Sequence, residues 1–237
     1  MAAGFAGFGS SIPRHASVVH AEAASVASMR LSYSRQGIHE KDMPEDPYGL
    51  FQQWFSEAVA AKVIEPNAMC LSTCKDNTPS ARYVLLKAHD DRGYVWFTNY
   101  NSRKGQELIE NPKAALTFWW GDLERSIRIE GRVEKISDDE SDEYFNSRPR
   151  GSRIGAWASN QSNEIESREA FDKQEKDINE KFQNIKSIPR PPHWGGFRLI
   201  PIKIEFWKGR ESRMHDRIVY ERKNENEKWE KIKRLQS

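Results

Sequence analysis

Cysteine is nearly absent from this chain of 237 residues, where only Cys70 and Cys74 occur. On a strand the pair would lie roughly 13 Å apart along one face, too far for a disulfide. Both therefore read as core thiols of a reducing compartment. The six histidines form neither H-x-H nor H-E-x-x-H, and the cysteines form no C-x-x-C, which argues against a structural zinc site. Apolar runs of the roughly eighteen residues that suggest a membrane span are missing too. An excess of charge of one sign is also lacking: a formal net charge of +2 is too small to argue for a nucleic-acid partner. No internal repeat is visible. Gly4-Phe5-Ala6-Gly7-Phe8-Gly9 follows no strand and so is not a dinucleotide loop.

What remains is ample for a globular fold. Hydrophobic residues make up 37% and charged residues 30%, and eight tryptophans with eleven phenylalanines can furnish a core or an aromatic-lined site. The length suits one sizeable domain or two small ones. Residues 1–28 are rich in Ala, Gly and Ser, with Arg14 the only Lys or Arg and Glu22 the only acid, and read as a disordered tail. A mitochondrial presequence would be as poor in acids but richer in arginine. The expected location is cytoplasmic.

Asp46-Pro47 predicts a helix start, with an N-cap acceptor and proline at the first helical position. Leu50, Phe51, Trp54, Phe55, Ala58 and Val59 then form an apolar stripe at helical spacing. Short strands are predicted over 68–74, 80–88, 94–98, 114–120 and 126–136, with a short helix over 102–110. Helices follow over 138–148, 151–158 and 166–183, and strands return over 195–200, 202–208, 216–222 and 228–233. Antiparallel strands with inserted helices suggest an α+β barrel rather than a parallel doubly wound sheet.

Four stretches carry possible chemistry. Arg103 and Lys104 occupy the first turn of the short helix, where cations are disfavoured by up to about 1 kcal/mol. A bound phosphate would reverse that sign, drawing on both cations, the free N–H groups and Ser102. Arg82 and Lys87 end one strand and, an odd number of residues apart, point to opposite faces. Tyr144 and Arg148 share a helix face, with Ser152 just beyond Pro149, a donor set that suits a phosphate monoester. Arg213, His215 and Arg217 would share one face of a strand, with Met214 and Asp216 on the other. Each stretch can also be read as solvated charge on a surface.

Taken in order, these stretches resemble the pyridoxine (pyridoxamine) 5′-phosphate oxidase family from about Met29 to Leu235. The resemblance rests on Arg82-Tyr83-Val84-Leu85-Leu86-Lys87, Phe97-Thr98-Asn99, Ser102-Arg103-Lys104-Gly105 and Tyr144-Phe145-Asn146-Ser147-Arg148-Pro149. Gln161-Ser162, Trp194-Gly195-Gly196, Glu205-Phe206-Trp207 and Arg213-Met214-His215-Asp216-Arg217 add to it. It implies an FMN-binding split β-barrel, antiparallel with peripheral helices, and a homodimer with FMN between the subunits. Residues 46–237 would form the domain and 29–45 an arm, with Arg30 and Tyr33, able to cover the site.

By motif, Arg82, Tyr83, Val84, Leu85, Phe97, Thr98, Arg103, Lys104, Gln161, Ser162, Trp207 and Arg217 would hold FMN. Lys87, Tyr144, Arg148 and Ser152 would take the substrate phosphate. Arg213, Met214 and His215 would meet the substrate ring, Arg213 and His215 as the catalytic pair. The implied reaction oxidises pyridoxine or pyridoxamine 5′-phosphate to pyridoxal 5′-phosphate, with dioxygen as acceptor and hydrogen peroxide as product. A non-catalytic split barrel that binds FMN or pyridoxal phosphate is the alternative. Ser126 departs from the family, which usually carries a flavin-contacting glutamine there, and the chain ends Gln236-Ser237 where relatives commonly finish with proline.

Overall fold

Asp46 starts helix α1 (Pro47–Ala60) by accepting hydrogen bonds from the N–H groups of Tyr48 and Gly49, both at 3.0 Å. The computed structural model describes Tyr33, residues 37–230 and residues 232–237; the tail over 1–28 and Arg30 lie outside them. Leu50, Phe51, Trp54 and Ala58 form the buried face of α1. The Phe51 ring stands 4.8 Å from Tyr94 and 5.4 Å from Phe118, and Trp54 lies 5.3 Å from Phe206. Val59, read as part of the stripe, is exposed instead, because it sits about 100° round the helix from Ala58.

The strands are β1 (Ala68–Lys75), β2 (Thr78–Leu85), β3 (Ala88–Asp90), β4 (Gly93–Asn99), β5 (Lys113–Trp120), β6 (Arg125–Lys135), β7 (Trp194–Lys208), β8 (Asp216–Glu221) and β9 (Lys233–Arg234). They pair antiparallel in the order β2-β1-β5-β6-β7-β4-β3, with β8 on β7 and β9 on β8. The path does not close, so this is an α+β fold on an open, split antiparallel barrel. Strand β7 is its spine. One edge runs along β6, while the other pairs first with β4 (Trp194–Leu199) and then with β8 (Lys203–Lys208). The register of β6 on β7 shifts at Glu130/Gly131. A Cβ on Gly131 would lie 2.0 Å from the carbonyl oxygen of Ile200, so only glycine lets the strands close up there.

The main core lies between α1 and the sheet and includes Met69, Leu71, Leu116, Phe118, Ile127, Ile129, Ile204 and Phe206. A smaller cluster of Phe145, Ile154, Phe182, Ile188 and Trp194 brings together residues from α3 (Asp138–Ser147), α4 (Arg150–Ala158), the end of α5 (Arg168–Lys181) and the start of β7. Helix α2 (Arg103–Glu110) follows β4 directly, capped by Ser102. Among the described residues no helix is long and apolar enough to cross a membrane, no cluster of metal ligands occurs, and both cysteines are free.

Four expectations are corrected. The strand predicted over 80–88 ends at Leu85, because the N–H groups of Leu86 and Lys87 turn to the carbonyls of Asn67 and Val95. The strands expected over 195–200 and 202–208 are one. The strand expected over 228–233 shrinks to Lys233–Arg234, a turn closed by Glu227 N–H to Asn224 O having taken up part of the connection. The largest change concerns Arg213 to Arg217. Ser212 and Arg213 adopt left-handed backbone (φ 54° and 62°) inside a 3-10 turn, and β8 begins only at Asp216. Strand alternation therefore does not place Arg213, His215 and Arg217 on one face.

Candidate active site

A cleft of about 590 Å³ opens where the ends of β2 and β4 meet the start of α2 and the α3–α4 junction. Its lining includes eleven of the residues read from the sequence: Tyr83, Val84, Leu85, Lys87, Phe97, Thr98, Lys104, Tyr144, Arg148, Ser152 and Gln161. Asn99, Ser159 and Trp194 join them. Tyr144 stacks on Phe97 at 3.9 Å, and Phe97 lies nearly parallel to Trp194 at 5.4 Å. The Arg148 guanidinium rests over Trp194 at 4.6 Å. Burial pushes Arg148 below its ordinary pKa, against the pull of Tyr144. Its Nη1 is buried and makes no hydrogen bond among the described residues.

Pro149 follows as the N-cap of α4 and supplies no side-chain cap, so Ser152 and the free N–H groups of the first turn stand beside that cation. One end of the cleft is thus prepared for an anion. The other end is built on Lys104. Its Nζ donates to Thr98 Oγ1 at 3.1 Å and Gln161 Oε1 at 3.0 Å. Burial, with the nearby charge of Arg82, pushes Lys104 down to about 8. Ser102 is not free for a ligand, since its hydroxyl donates to Asn99 O at 2.6 Å and accepts from Gly105 N.

Arg82 and Arg103 do not line this cleft; both turn to Glu107. Arg103 Nε donates at 2.8 Å and Arg82 Nη2 at 3.1 Å, while Thr73 and Ser80 donate their hydroxyls at 2.5 and 2.7 Å. Burial alone would raise the Glu107 carboxyl. Hydrogen bonds from Thr73, Ser80 and Arg103, with the charge of Arg82, override it and hold the group at about 2. Sequence reading missed Glu107, although its spacing of four from Arg103 was the available signal.

Met214 and His215 line a second cleft of about 950 Å³ with Arg210, Asp216 and Arg234, and the two clefts share no lining residue. Trp207 lines neither cleft; its ring lies 4.7 Å from His215 and 5.8 Å from Trp119. Tyr33 packs edge-on against both Trp207 and His215, at 5.7 and 5.5 Å. Arg217 donates to both oxygens of Glu205 and to Gln236 O. Arg213 and Ser162 line neither cleft, and Ser162 sits at φ 74°. Ser126 donates to Phe118 O at 2.9 Å, which occupies its hydroxyl.

An apolar, aromatic cleft with an orphaned guanidinium at one end and a half-buried lysine at the other suits a ring-bearing anion. Comparison with known proteins defines the class. Residues 55–182 match the family described as pyridoxamine 5′-phosphate oxidase, and residues 194–237 match the pyridoxine 5′-phosphate oxidase C-terminal dimerisation region. The chain belongs to the pyridoxamine 5′-phosphate oxidase family, a group of FMN-binding split-barrel oxidoreductases.

Among its relatives, the pyridoxine/pyridoxamine 5′-phosphate oxidase of Nostoc punctiforme is 55% identical, over 89% of this chain and 98% of that protein. The protein of the same name from Burkholderia lata is 55% identical, over 84% and 92%. The structure of PhzG from Burkholderia lata 383, in complex with tetrahydrophenazine-1-carboxylic acid, superposes with a TM-score of 0.77 at 32% identity, covering 84% of this chain and 96% of that one. An FMN-binding protein from Nostoc punctiforme shares the fold, with a TM-score of 0.63 at 16% identity, covering 82% of this chain and all of that one.

Proposed function

We propose that the protein is an FMN-dependent oxidase that converts pyridoxine 5′-phosphate or pyridoxamine 5′-phosphate to pyridoxal 5′-phosphate, with dioxygen as acceptor and hydrogen peroxide as product. The observation that carries this reading is the Arg148 guanidinium, buried and unsatisfied at Nη1, beside Tyr144, Ser152 and Lys87. A phosphate monoester supplies the acceptor oxygens that this group lacks. The residues fit FMN as well. Lys104 and Thr98, with Gln161, would hold its phosphate end, and Val84, Leu85 and Phe97 offer the apolar wall a flavin ring needs. Arg82 and Arg103, set by Glu107, would add positive potential behind Lys104.

When bound, FMN would supply the two-electron acceptor chemistry and its reoxidation by dioxygen. The work of the chain is binding and orientation. Arg148, Tyr144 and Ser152 fix the substrate phosphate, and Arg213, Met214 and His215 meet the substrate ring. In one protomer the phosphate cleft and the His215 cleft are separate, and a homodimer with FMN at the subunit interface would bring such halves together. Residues 46–237 form the catalytic domain in this reading, and 29–45 an arm that covers the site, with its Tyr33 packed on His215. The match over 194–237 to a dimerisation region supports the dimer.

The test is aerobic incubation of purified, FMN-loaded protein with pyridoxine 5′-phosphate, reading pyridoxal 5′-phosphate and peroxide. Equimolar aldehyde and peroxide are expected. Flavin uptake without either product would favour the non-catalytic binder. Turnover of a reduced phenazine carboxylate in place of the B6 phosphates would move the protein toward the chemistry suggested by the ligand in the PhzG structure.

A further inference from the structure

His215 lies in the β7–β8 connection and its ring is held by three contacts. The backbone N–H of Arg210 donates to Nδ1 at 3.1 Å. The ring of Trp207 packs on it at 4.7 Å, and that of Tyr33 edge-on at 5.5 Å. The connection takes its shape from the left-handed residues Ser212 and Arg213. That turn is fastened by Met214 N–H to Glu211 O at 3.1 Å and by the Ser237 hydroxyl to Arg213 O at 2.8 Å. Consecutive left-handed residues other than glycine each cost on the order of 1 kcal/mol or more and persist only where surrounding contacts fix them.

A backbone N–H can only donate, so the atom facing it must carry a lone pair. Nδ1 is therefore unprotonated, and the proton of the neutral ring sits on Nε2. A half-turn of the ring would set a carbon against the Arg210 N–H and forfeit that bond. Nε2 makes no hydrogen bond among the described residues, and the ring borders the 950 Å³ cleft. The charged groups nearby act in opposite senses. Arg213 disfavours a second proton and Asp216 favours one, while Asp216 is itself tied to Arg210, Arg234 and the N–H of Ile38. Burial is the larger influence, the charge of Arg213 adds to it, and the pKa of His215 lies below its ordinary value.

We propose that His215 meets the substrate as a neutral hydrogen-bond donor through Nε2, its proton held there by the backbone N–H of Arg210, and does not act as the base that removes a proton. The ligand atom it selects is an acceptor, such as an oxygen on the substrate ring. This deepens the proposed oxidase reading, on which the ligand rests, while the tautomer itself is a property of the protein alone.

Nitrogen NMR of the full-length protein with ¹⁵N-labelled histidine, at pH 7.5, tests it. The His215 signals are assigned by contact of its ring protons with Trp207, or by their loss in His215→Gln. A single proton on Nε2 and a lone pair on Nδ1 are expected. A proton on Nδ1, averaging between the two nitrogens, or a doubly protonated ring would overturn the proposal. In turnover, His215→Gln can place an amide N–H near the Nε2 position, whereas His215→Asn reaches only the Nδ1 position. The Gln variant is expected to keep kcat/KM within about 10-fold and the Asn variant to lose about 10-fold more, the value of one hydrogen bond. Equal, severe losses in kcat with a vanished acidic limb of the pH profile would identify a base instead. Absence of turnover in the unmodified protein would sink the oxidase reading and leave the NMR result standing.

Discussion

Arg217 and Glu205 face each other as a two-bonded pair, Nε and Nη2 donating to the two carboxylate oxygens at 2.9 and 3.0 Å. Arg128 donates to the same carboxylate at 2.8 Å. The planar fork of Arg217 is thereby fixed beside Trp207, its partner across the β7–β8 ladder. Arg217→Ala is expected to weaken FMN affinity by about 10-fold or more, the value of a charge-assisted hydrogen bond. Arg217→Lys should recover little of it, because lysine lacks the fork. Fluorescence titration of FMN measures both, and an unchanged dissociation constant in Arg217→Ala would remove this residue from the cofactor site.

Arg148→Ala should act on the substrate and not on the flavin. Loss of the guanidinium removes charge-assisted bonds worth about 1.5–3 kcal/mol, so KM for pyridoxine 5′-phosphate should rise roughly 10- to 100-fold. Steady-state kinetics should show kcat changed far less, and FMN affinity should stay as in the unmodified protein. A fall in kcat at constant KM would contradict the phosphate assignment.

Lys104 gives the cofactor site a pH dependence. It is charged below about 8 and neutral above, so attraction for a phosphate is present at low pH and fades as pH rises through that value. FMN affinity should decline between pH 7 and 9.5. Lys104→Arg should flatten the curve, since arginine keeps its charge throughout. Riboflavin, which lacks the phosphate, should show no such slope in either protein.

Glu107 carries a stability prediction whose sign follows from its depressed pKa. Its ordinary value of 4.5 falls to about 2 in the fold, so the folded state prefers the ionised form. The stabilisation is complete above about 4.5 and is lost as pH falls toward about 2. Glu107→Gln should be destabilised at pH 7, and urea unfolding from pH 7 to 3 should show it less sensitive to acid. Parallel curves for the two proteins would show that the carboxylate holds nothing.

Local signals in the sequence located most of this architecture. Asp46-Pro47 marked the first helix because capping and proline geometry act within one turn, and Tyr144, Arg148 and Ser152 were brought together by helix spacing and a stop at Pro149. Glu107 was hidden because three of its partners, Thr73, Ser80 and Arg82, lie 25 to 34 residues away in sequence, on strands β1 and β2. The turn at Ser212 and Arg213 was hidden for a different reason. Neither residue type announces left-handed backbone, so Arg213 to Arg217 was read as a strand. The two clefts were hidden as well, since family motifs group residues by role and not by place within one protomer.

The Nη1 of Arg148, buried and without an acceptor among the described residues, couples anion binding in the cleft to the stability of the fold. An anion in the cleft would give this donor an acceptor, and meeting a buried donor is worth about 1–3 kcal/mol. Any species that satisfies the donor stabilises the fold by mass action, and the melting temperature of the protein becomes a measure of how well a given anion fits.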